Sequence, residues 1–307
     1  MTRQPLPLPE QPFGFTVRSG ATLRGVAHEL TAEGVLPADW TLVALGRLEG
    51  VDRAIKAGNY EFPAGTTLRG LLAKLTQGDV TQTSFIIVEG WSLRDLRAAL
   101  HIENDIAKTI VDLPDAELMR AVGANQPQAE GWFFPDTYFF AAGSSDASLL
   151  KRAYRTMQQR LEAAWAVRAP GLPLHSSYEA LILASIVEKE TGRAADRPLI
   201  ASVLLNRLQQ NMRLQADPTV IYGLGERFDG NLTRRDLDTD TAYNTYLRDG
   251  LPPTPIALPS QASLDAVLHP PATPYLYFVS RGDGSSEFSA NLSDHNRAVA
   301  RYQKSTH

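Results

Sequence analysis

Two glutamates one residue apart, Glu188 and Glu190, sit in the stretch LILASIVEKETGRAADRP that runs from Leu181 to Pro198. A nearly unbroken apolar run leads into them. A carboxylic acid set against an apolar wall keeps its proton to higher pH, because desolvation disfavours the charged form, and a general acid working near neutrality needs that property. Successive helical residues lie about 100° apart, so these two carboxyls point in nearly opposite directions. Ile182, Leu183, Ile186 and Val187 form the bulky aliphatic stripe, and Glu190 falls near its centre. Glu188 falls on the other side, with Ala184 and Ser185. If the stripe faces the core, Glu190 is the pressed carboxyl and Glu188 a helix-surface residue paired with Arg193 or Arg197. The plainer alternative is a helix end, with Glu190 tucked under a neighbouring Arg or Lys.

Other groups could assist such an acid. The run EGWFFPDTYFF, from Glu130, packs aromatics around Pro135 and Asp136. Most of it reads as a core strand with a turn, and Asp136 is a candidate hydrogen-bonding group near the site. Asp217 with Pro218 reads first as a turn. Gln215, Tyr222, Tyr243, Asn244 and Tyr246 have the chemistry of a sugar-binding groove. No HExxH, GxSxG, Walker or GxGxxG pattern occurs. The histidines are scattered: His269, beside two prolines, reads as a loop residue, and His295 as part of a terminal helix. No metal site and no cofactor is expected.

The elements that must position these groups can be read in outline. The absence of cysteine excludes thiol catalysis, disulfides and thiolate-bound metal. A net charge of -4 argues against a nucleic-acid binder, whose footprint would be a basic field. No apolar run approaches the roughly 18 residues of a membrane span, and the start, MTRQPLPLPEQPFG, lacks a signal-peptide pattern. A soluble chain is expected.

The N-terminal part contains an echo. SGATLRGVAHELTAEGV from Ser19 is answered by AGTTLRGLLAKLTQGDV from Ala64 and more faintly by VEGWSLRDLRAAL from Val88. Each time Thr22, Thr67 or Ser92 stands where an N-cap belongs, before an amphipathic Leu-rich run. Strand-like stretches, FGFTVR, AGNYEF and TSFIIV, come first. Strand, turn, helix units therefore end near residue 88. The first, FTVRSGATLRGVAHEL, resembles a LysM glycan-binding module. A long helix is expected from Ser144, with Leu150, Tyr154, Met157, Leu161 and Trp165 on one face. Ser176 and Glu179 form a capping-box pattern that opens the helix of the two glutamates. Another helix is expected from about Ala195 to Gln210, followed by long Tyr-, Asn- and Pro-containing loops of the kind that line sites. The fold class expected is α+β: a small LysM-like strand/helix module, residues 1–88, and a larger mixed α+β catalytic domain, residues 89–307, with long site-lining loops.

The segments EGWFFPDTY, ASIVEKET, VLLNRL, MRLQADPTVIYG, TAYNTY, GLPPTPIALP and TPYLYFV together resemble, in order and spacing, the endolytic murein transglycosylases, the YceG-like family. The resemblance covers most of the chain. It implies that the catalytic acid is the Glu immediately before Ser or Thr, here Glu190 before Thr191. It implies cleavage of the β-1,4 bond between N-acetylmuramic acid and N-acetylglucosamine in peptidoglycan, Glu190 acting as acid and then as base. The product would be a 1,6-anhydro end. Asp136, Gln215, Asp217, Tyr222, Tyr243, Asn244 and Tyr246 would bind substrate. Peptidoglycan strands are the implied substrate, peptidoglycan synthases the candidate partners, and the periplasmic face of the inner membrane the implied location. The family's membrane-anchoring helix is not found in this sequence, so no other membrane contact is expected, and no nucleic acid. Two rival readings remain: a non-catalytic peptidoglycan-binding scaffold, and a hydrolase with Asp136 or Asp217 as second carboxylate.

Overall fold

The computed structural model describes residues 4–10, 13–18, 20–78 and 82–302. Ser19, where the first echo begins, Asp79 and Val80, where the second ends, and the outer ends of the two expected domains, at residues 1 and 307, lie outside the described residues. The fold is mixed α+β, as expected. It divides into two compact units. The first comprises Met1–Phe85, Leu100–Val111 and Thr137–Leu149, and the second Ile86–Ala99, Asp112–Asp136 and Leu150–His307. The chain thus leaves the first unit and returns to it twice.

In the first unit β1 (Phe13–Val17) is followed by α1 (Leu23–Ala32), α2 (Asp39–Leu48) and β2 (Gly58–Phe62). β1 and β2 pair antiparallel, Phe13 opposite Phe62 and Val17 opposite Gly58. Next comes α3 (Leu68–Gln77). The echo has a physical basis. Thr22 and Thr67 each cap a helix by accepting from the N–H three residues on, Gly25 and Gly70. Each helix then buries the same spacing: Leu23, Val26, Ala27 and Leu30 in α1, Leu68, Leu71, Leu72 and Leu75 in α3. One cap and one i, i+3, i+4, i+7 stripe are used twice. Phe15, Val17, Tyr60 and Phe62 complete the core from the sheet. The strand, turn, helix expectation omitted α2, whose start carries no capping side chain.

After β3 (Gln82–Ile86) comes α4 (Leu93–Ile102), whose first turn is closed by three hydrogen bonds between Ser92 and Asp95. β4 (Ile106–Ala107) and α5 (Asp115–Val122) precede β5 (Thr137–Ala141) and β6 (Ser144–Ser145). β3 pairs with β5, and β4 runs parallel to β6. The long helix expected from Ser144 is α6 (Asp146–Ala166), with Leu150, Tyr154, Met157 and Leu161 buried and Trp165 packed against the core.

The second unit is built on α7 (Ser177–Glu190) and α8 (Arg197–Gln209). Ser176 caps α7 by accepting from the Glu179 N–H, but Glu179 takes the His175 N–H rather than closing the box on Ser176. Every residue of α7 from Ala180 to Val187 is buried. The helix is therefore not amphipathic, and Ala184 and Ser185 are as buried as the aliphatic stripe. α9 (Asp217–Leu224), the single turn α10 (Arg234–Leu237) and α11 (Gln261–Leu268) follow. The chain then forms an antiparallel hairpin of β7 (Tyr277–Ser280) and β8 (Ser286–Ser289), and α12 (Leu292–Tyr302).

One side chain organises the later segments of the first unit. Asp146, fully buried at the start of α6, accepts from the backbone N–H of Thr109, Ile110, Val111 and Ala147 at 2.7–2.9 Å, and from the Thr109 hydroxyl. Burial pushes its carboxyl up, but these donors outweigh it and hold the group below its ordinary range. Asp146→Ala leaves several buried N–H groups without an acceptor and is expected to cost about 3 kcal/mol or more in urea unfolding. Asp146→Asn keeps the volume and is expected to cost less. Because the native carboxyl titrates low, its contribution is present above pH 4 or so and fades as pH falls further, so wild type and Asp146→Asn should converge in acid. Equal stability of the three proteins at neutral pH would refute the role.

Candidate active site

Glu190 is the last residue of α7, and the extended Thr191 ends the helix there. Its side chain lines a cleft of about 630 Å³ with Arg207, Gln215, Asp217, Tyr246 and His295, and with Ser280, Ser285 and Ser286 of the hairpin. Among the described residues its carboxyl makes no hydrogen bond, while the residue stays partly open to the cleft. Burial pushes this carboxyl up to about 8, the Asp217 charge pushes the same way, and the Arg207 cation opposes both. A carboxyl that is free, accessible and protonated at neutral pH can donate a proton to a ligand in the cleft.

Glu188 has a different fate from the one expected. It is not a surface residue: only 6% of its side chain is exposed. It accepts from the Ser260 N–H and hydroxyl and from the Ser263 hydroxyl, at 2.9, 2.5 and 2.6 Å. The expected partner Arg197 lies 3.6 Å from its second oxygen. The helix-wheel contrast therefore fails in its premise, since α7 is enclosed on all sides. What separates the two glutamates is satisfaction: Glu188 has its partners, and Glu190 has none among the described residues.

Arg207, in the last turn of α8, was not singled out from the sequence. Its guanidinium donates to the carbonyls of Leu276, Arg213 and Leu214 and to Gln215 Oε1, and lies over the Tyr277 ring at 5.1 Å. Burial pulls its pKa down, against the phenols of Tyr277 and Tyr246 and the Glu190 carboxyl. An Arg inside the apolar run of VLLNRL was the available signal, because a buried cation is retained only where it is bonded.

The loop before α9 is pinned by the TAYNTY segment. Gln215 donates its N–H to the Thr245 carbonyl, and the Thr245 hydroxyl accepts from the Ala216 N–H. Gln215 itself adopts a positive φ of 51°, which a non-glycine residue holds only under such constraint. Asp217 opens α9 and takes a short hydrogen bond from the Tyr246 hydroxyl. Burial and that bond push the Tyr246 phenol well above its ordinary range. The segments touch so closely at Gly223 that a Cβ would lie 2.5 Å from the Thr241 hydroxyl oxygen. Asn244 is wholly buried, donating to the Leu237 and Thr239 carbonyls and accepting from the Tyr246 N–H. It builds the loop and offers nothing to a ligand.

A second cleft of about 830 Å³ holds Tyr222 and Tyr243, packed edge to face at 4.8 Å. Lys189 and Pro218 line it, whereas their neighbours Glu190 and Asp217 line the first cleft. Its buried carboxyl is Glu130, which accepts from the Leu93 and Gly131 N–H groups and the Tyr222 hydroxyl. Burial raises Glu130 to about 7 against these bonds. With its acceptor sites engaged, Glu130 caps α4 and holds Tyr222. Asp136 is exposed and lines neither cleft. Of the residues named from the sequence, then, Gln215, Asp217 and Tyr246 join Glu190, Tyr222 and Tyr243 stand in the second cleft, and Asn244 and Asp136 in neither. Among the described residues no cluster of His, Asp and Glu is placed to hold a metal ion.

The geometry has counterparts. A crystal structure of a yceG-like protein from Listeria monocytogenes superposes with a TM-score of 0.57 at 26% identity, covering 94% of this chain and 99% of that one. An endolytic murein transglycosylase of Bacillus subtilis (strain 168) is 31% identical over 306 residues, 94% of this chain and 84% of the relative. One of Streptococcus pneumoniae (strain D39) is 27% identical over 285 residues, 82% of this chain and 51% of its own length. The YceG-like family model matches residues 15–301. With a family model matching nearly the whole chain and a relative 31% identical over 94% of it, this chain belongs to the YceG-like family.

Proposed function

We propose that this chain is a lytic transglycosylase, a lyase that cleaves peptidoglycan glycan strands internally, with Glu190 as its acid and base. The relatives named endolytic murein transglycosylases support the reaction class. The observation that carries the assignment to Glu190 is a carboxyl without a partner, open to a cleft and proton-bound to about pH 8.

Glu190 donates its proton to the glycosidic oxygen between N-acetylmuramic acid and N-acetylglucosamine as the C1–O bond breaks. The carboxylate so formed takes the proton of the substrate's C6 hydroxyl, whose oxygen bonds to C1. A 1,6-anhydro ring closes, the proton count balances, and water takes no part. The intramolecular hydroxyl supplies the high effective concentration that a bound water and second carboxylate would otherwise provide. Arg207 makes the transient Glu190 carboxylate tolerable, and burial together with the Asp217 charge keeps the proton on beforehand. Gln215, Tyr246, Tyr222 and Tyr243 are the groups we assign to substrate.

The βααβ arrangement of residues 13–62 supports reading the N-terminal part, to about residue 88, as a LysM-like accessory module that tethers the enzyme to its polymer. The catalytic part is residues 89–307. The work is done at the periplasmic face of the bacterial inner membrane, beside the synthases that build the strands. Among the described residues no helix is long and apolar enough to cross a membrane. One observation favours a second reading, hydrolysis: Asp217 lines the same cleft as Glu190 and could serve as the base for a water.

Glu190→Gln is expected to lower glycan cleavage by about 1000-fold or more at an unchanged melting temperature or above. Glu188→Gln, which disturbs a satisfied carboxylate, should instead lower the melting temperature and leave measurable activity. Similar activity in the two variants would dismiss the assignment. The ends released from purified peptidoglycan distinguish the two reactions: 1,6-anhydro ends resist borohydride and carry no label after digestion in heavy-oxygen water, whereas labelled reducible ends mean hydrolysis. Since the acid must be protonated, the rate should fall as pH rises through about 8. Asp217→Asn removes the charge that helps hold the proton and is expected to move that fall to lower pH. An alkaline limb unmoved in Asp217→Asn would rule out its electrostatic role.

A further inference from the structure

His295, on α12, lines the Glu190 cleft. Its ring stacks on Tyr277 at 5.1 Å between centroids and 24° between planes. The same Tyr277 ring carries the Arg207 guanidinium. Arg207, Tyr277 and His295 thus form a chain of stacked groups fixed through the bonds of Arg207 to the Leu276, Arg213 and Leu214 carbonyls. The hairpin that supplies Tyr277 is itself tied down, because Asp196 accepts from the Ser286 N–H at 2.8 Å. The stack holds the His295 ring in one plane, and the structure gives the ring a single orientation within it.

Within that orientation the two ring nitrogens differ. Nδ1 is buried and has no hydrogen-bond partner among the described residues. Nε2 is the nitrogen left to the cleft. A neutral imidazole carries one N–H and one bare nitrogen, and its surroundings decide which is which. Burying an N–H with no acceptor forfeits a donor that water would have satisfied, so the bare nitrogen belongs inside and the N–H outside. A second proton is opposed: burial and the neighbouring Arg207 cation both pull the His295 pKa down. The cleft that Glu190 and His295 both line therefore presents a neutral N–H donor with no acceptor among the described residues.

We propose that His295 is a substrate-contacting residue of this cleft, donating its Nε2–H to an oxygen of the bound saccharide. The inference rests on the glycan-cleaving function proposed above and adds to it a polar contact from the far C-terminal helix. A neutral donor suits the task. It can bind a hydroxyl or amide oxygen without lowering the proton affinity of Glu190 as a second cation beside Arg207 would.

Glycan binding measured in the Glu190→Gln background separates this proposal from the proposed chemistry. The probe is soluble glycan strands prepared from peptidoglycan stripped of its peptides, and binding is read by calorimetry. His295→Phe keeps the ring stacked on Tyr277 and removes the donor; roughly 3- to 10-fold weaker binding is expected. His295→Gln places an amide N–H near the Nε2 position and should bind within about 2-fold of the parent. Thermal melting of each variant checks the fold. Nitrogen NMR of the His295 ring should find the proton on Nε2 and a shift of that signal when glycan is added. Unchanged binding in His295→Phe, equal loss in both variants, or a proton found on Nδ1 would overturn the proposal. Absence of glycan binding and cleavage by the wild-type protein would instead overturn the function on which it rests.

Discussion

The site depends on the satisfaction of one carboxylate, Glu188, rather than on the reactivity of another. Its oxygens take the Ser260 N–H and hydroxyl, the Ser263 hydroxyl and the Arg197 charge, and so tie the end of α7 to the starts of α8 and α11. Those bonds repay the desolvation of a charge that would otherwise be untenable in the interior. They also fix the last turn of α7, and with it the position of Glu190 two residues later. A helix whose every side chain from Ala180 to Val187 is buried has no freedom to roll, and the Glu188 clasp removes the freedom to fray.

Around Glu190 the surroundings are set in opposition. Arg207 favours the carboxylate, and burial together with Asp217 favours the acid. A carboxyl bonded directly to Arg207 would be a spent ion pair. Here the guanidinium is engaged by carbonyls and by Gln215, so it acts on Glu190 only at a distance. The loops that hold Gln215 and Asp217 serve the same end: the strained backbone of Gln215 and the buried Asn244 and Thr245 convert an irregular segment into a rigid wall. Preorganised polar groups of this kind are what a developing charge requires.

Much of the first unit was legible because its signals are local. Thr22 and Thr67 cap what they stand before, and the leucine spacing after each is the spacing buried. Glu190 was singled out by an argument whose premise fails. The helix wheel presumes one solvated face, and α7 has none, so Glu188 had to be bonded rather than exposed. Periodicity is silent on helices enclosed all round. Arg207 escaped notice, and His295 was legible only as part of a terminal helix, because the partners of each lie distant in sequence, the carbonyls of 213–214 and 276 for one and the Tyr277 ring for the other. Asp136 and Asn244 were named for their chemical type, and type alone does not say whether a polar group faces a ligand or closes a loop. The hairpin of β7 and β8, which brings Tyr277 to both, was likewise hidden in a stretch that read as loop.

The raised proton affinity of Glu190 also acts on the folding equilibrium. In the unfolded chain this carboxyl releases its proton near 4.5, whereas in the folded protein it keeps it to about 8. Between those values the native state binds the extra proton, so each rise in pH in that interval favours unfolding. At neutral pH the difference amounts to roughly 3 kcal/mol, a sizeable share of what usually separates a native domain from its unfolded chain. The rest of the second unit must carry that deficit, and its uninterrupted apolar core around α7, α8 and α11 is what does so. Alkalinity therefore takes the proton from the proposed acid and loosens the scaffold through a single titration, which couples the durability of this protein to the pH of its surroundings.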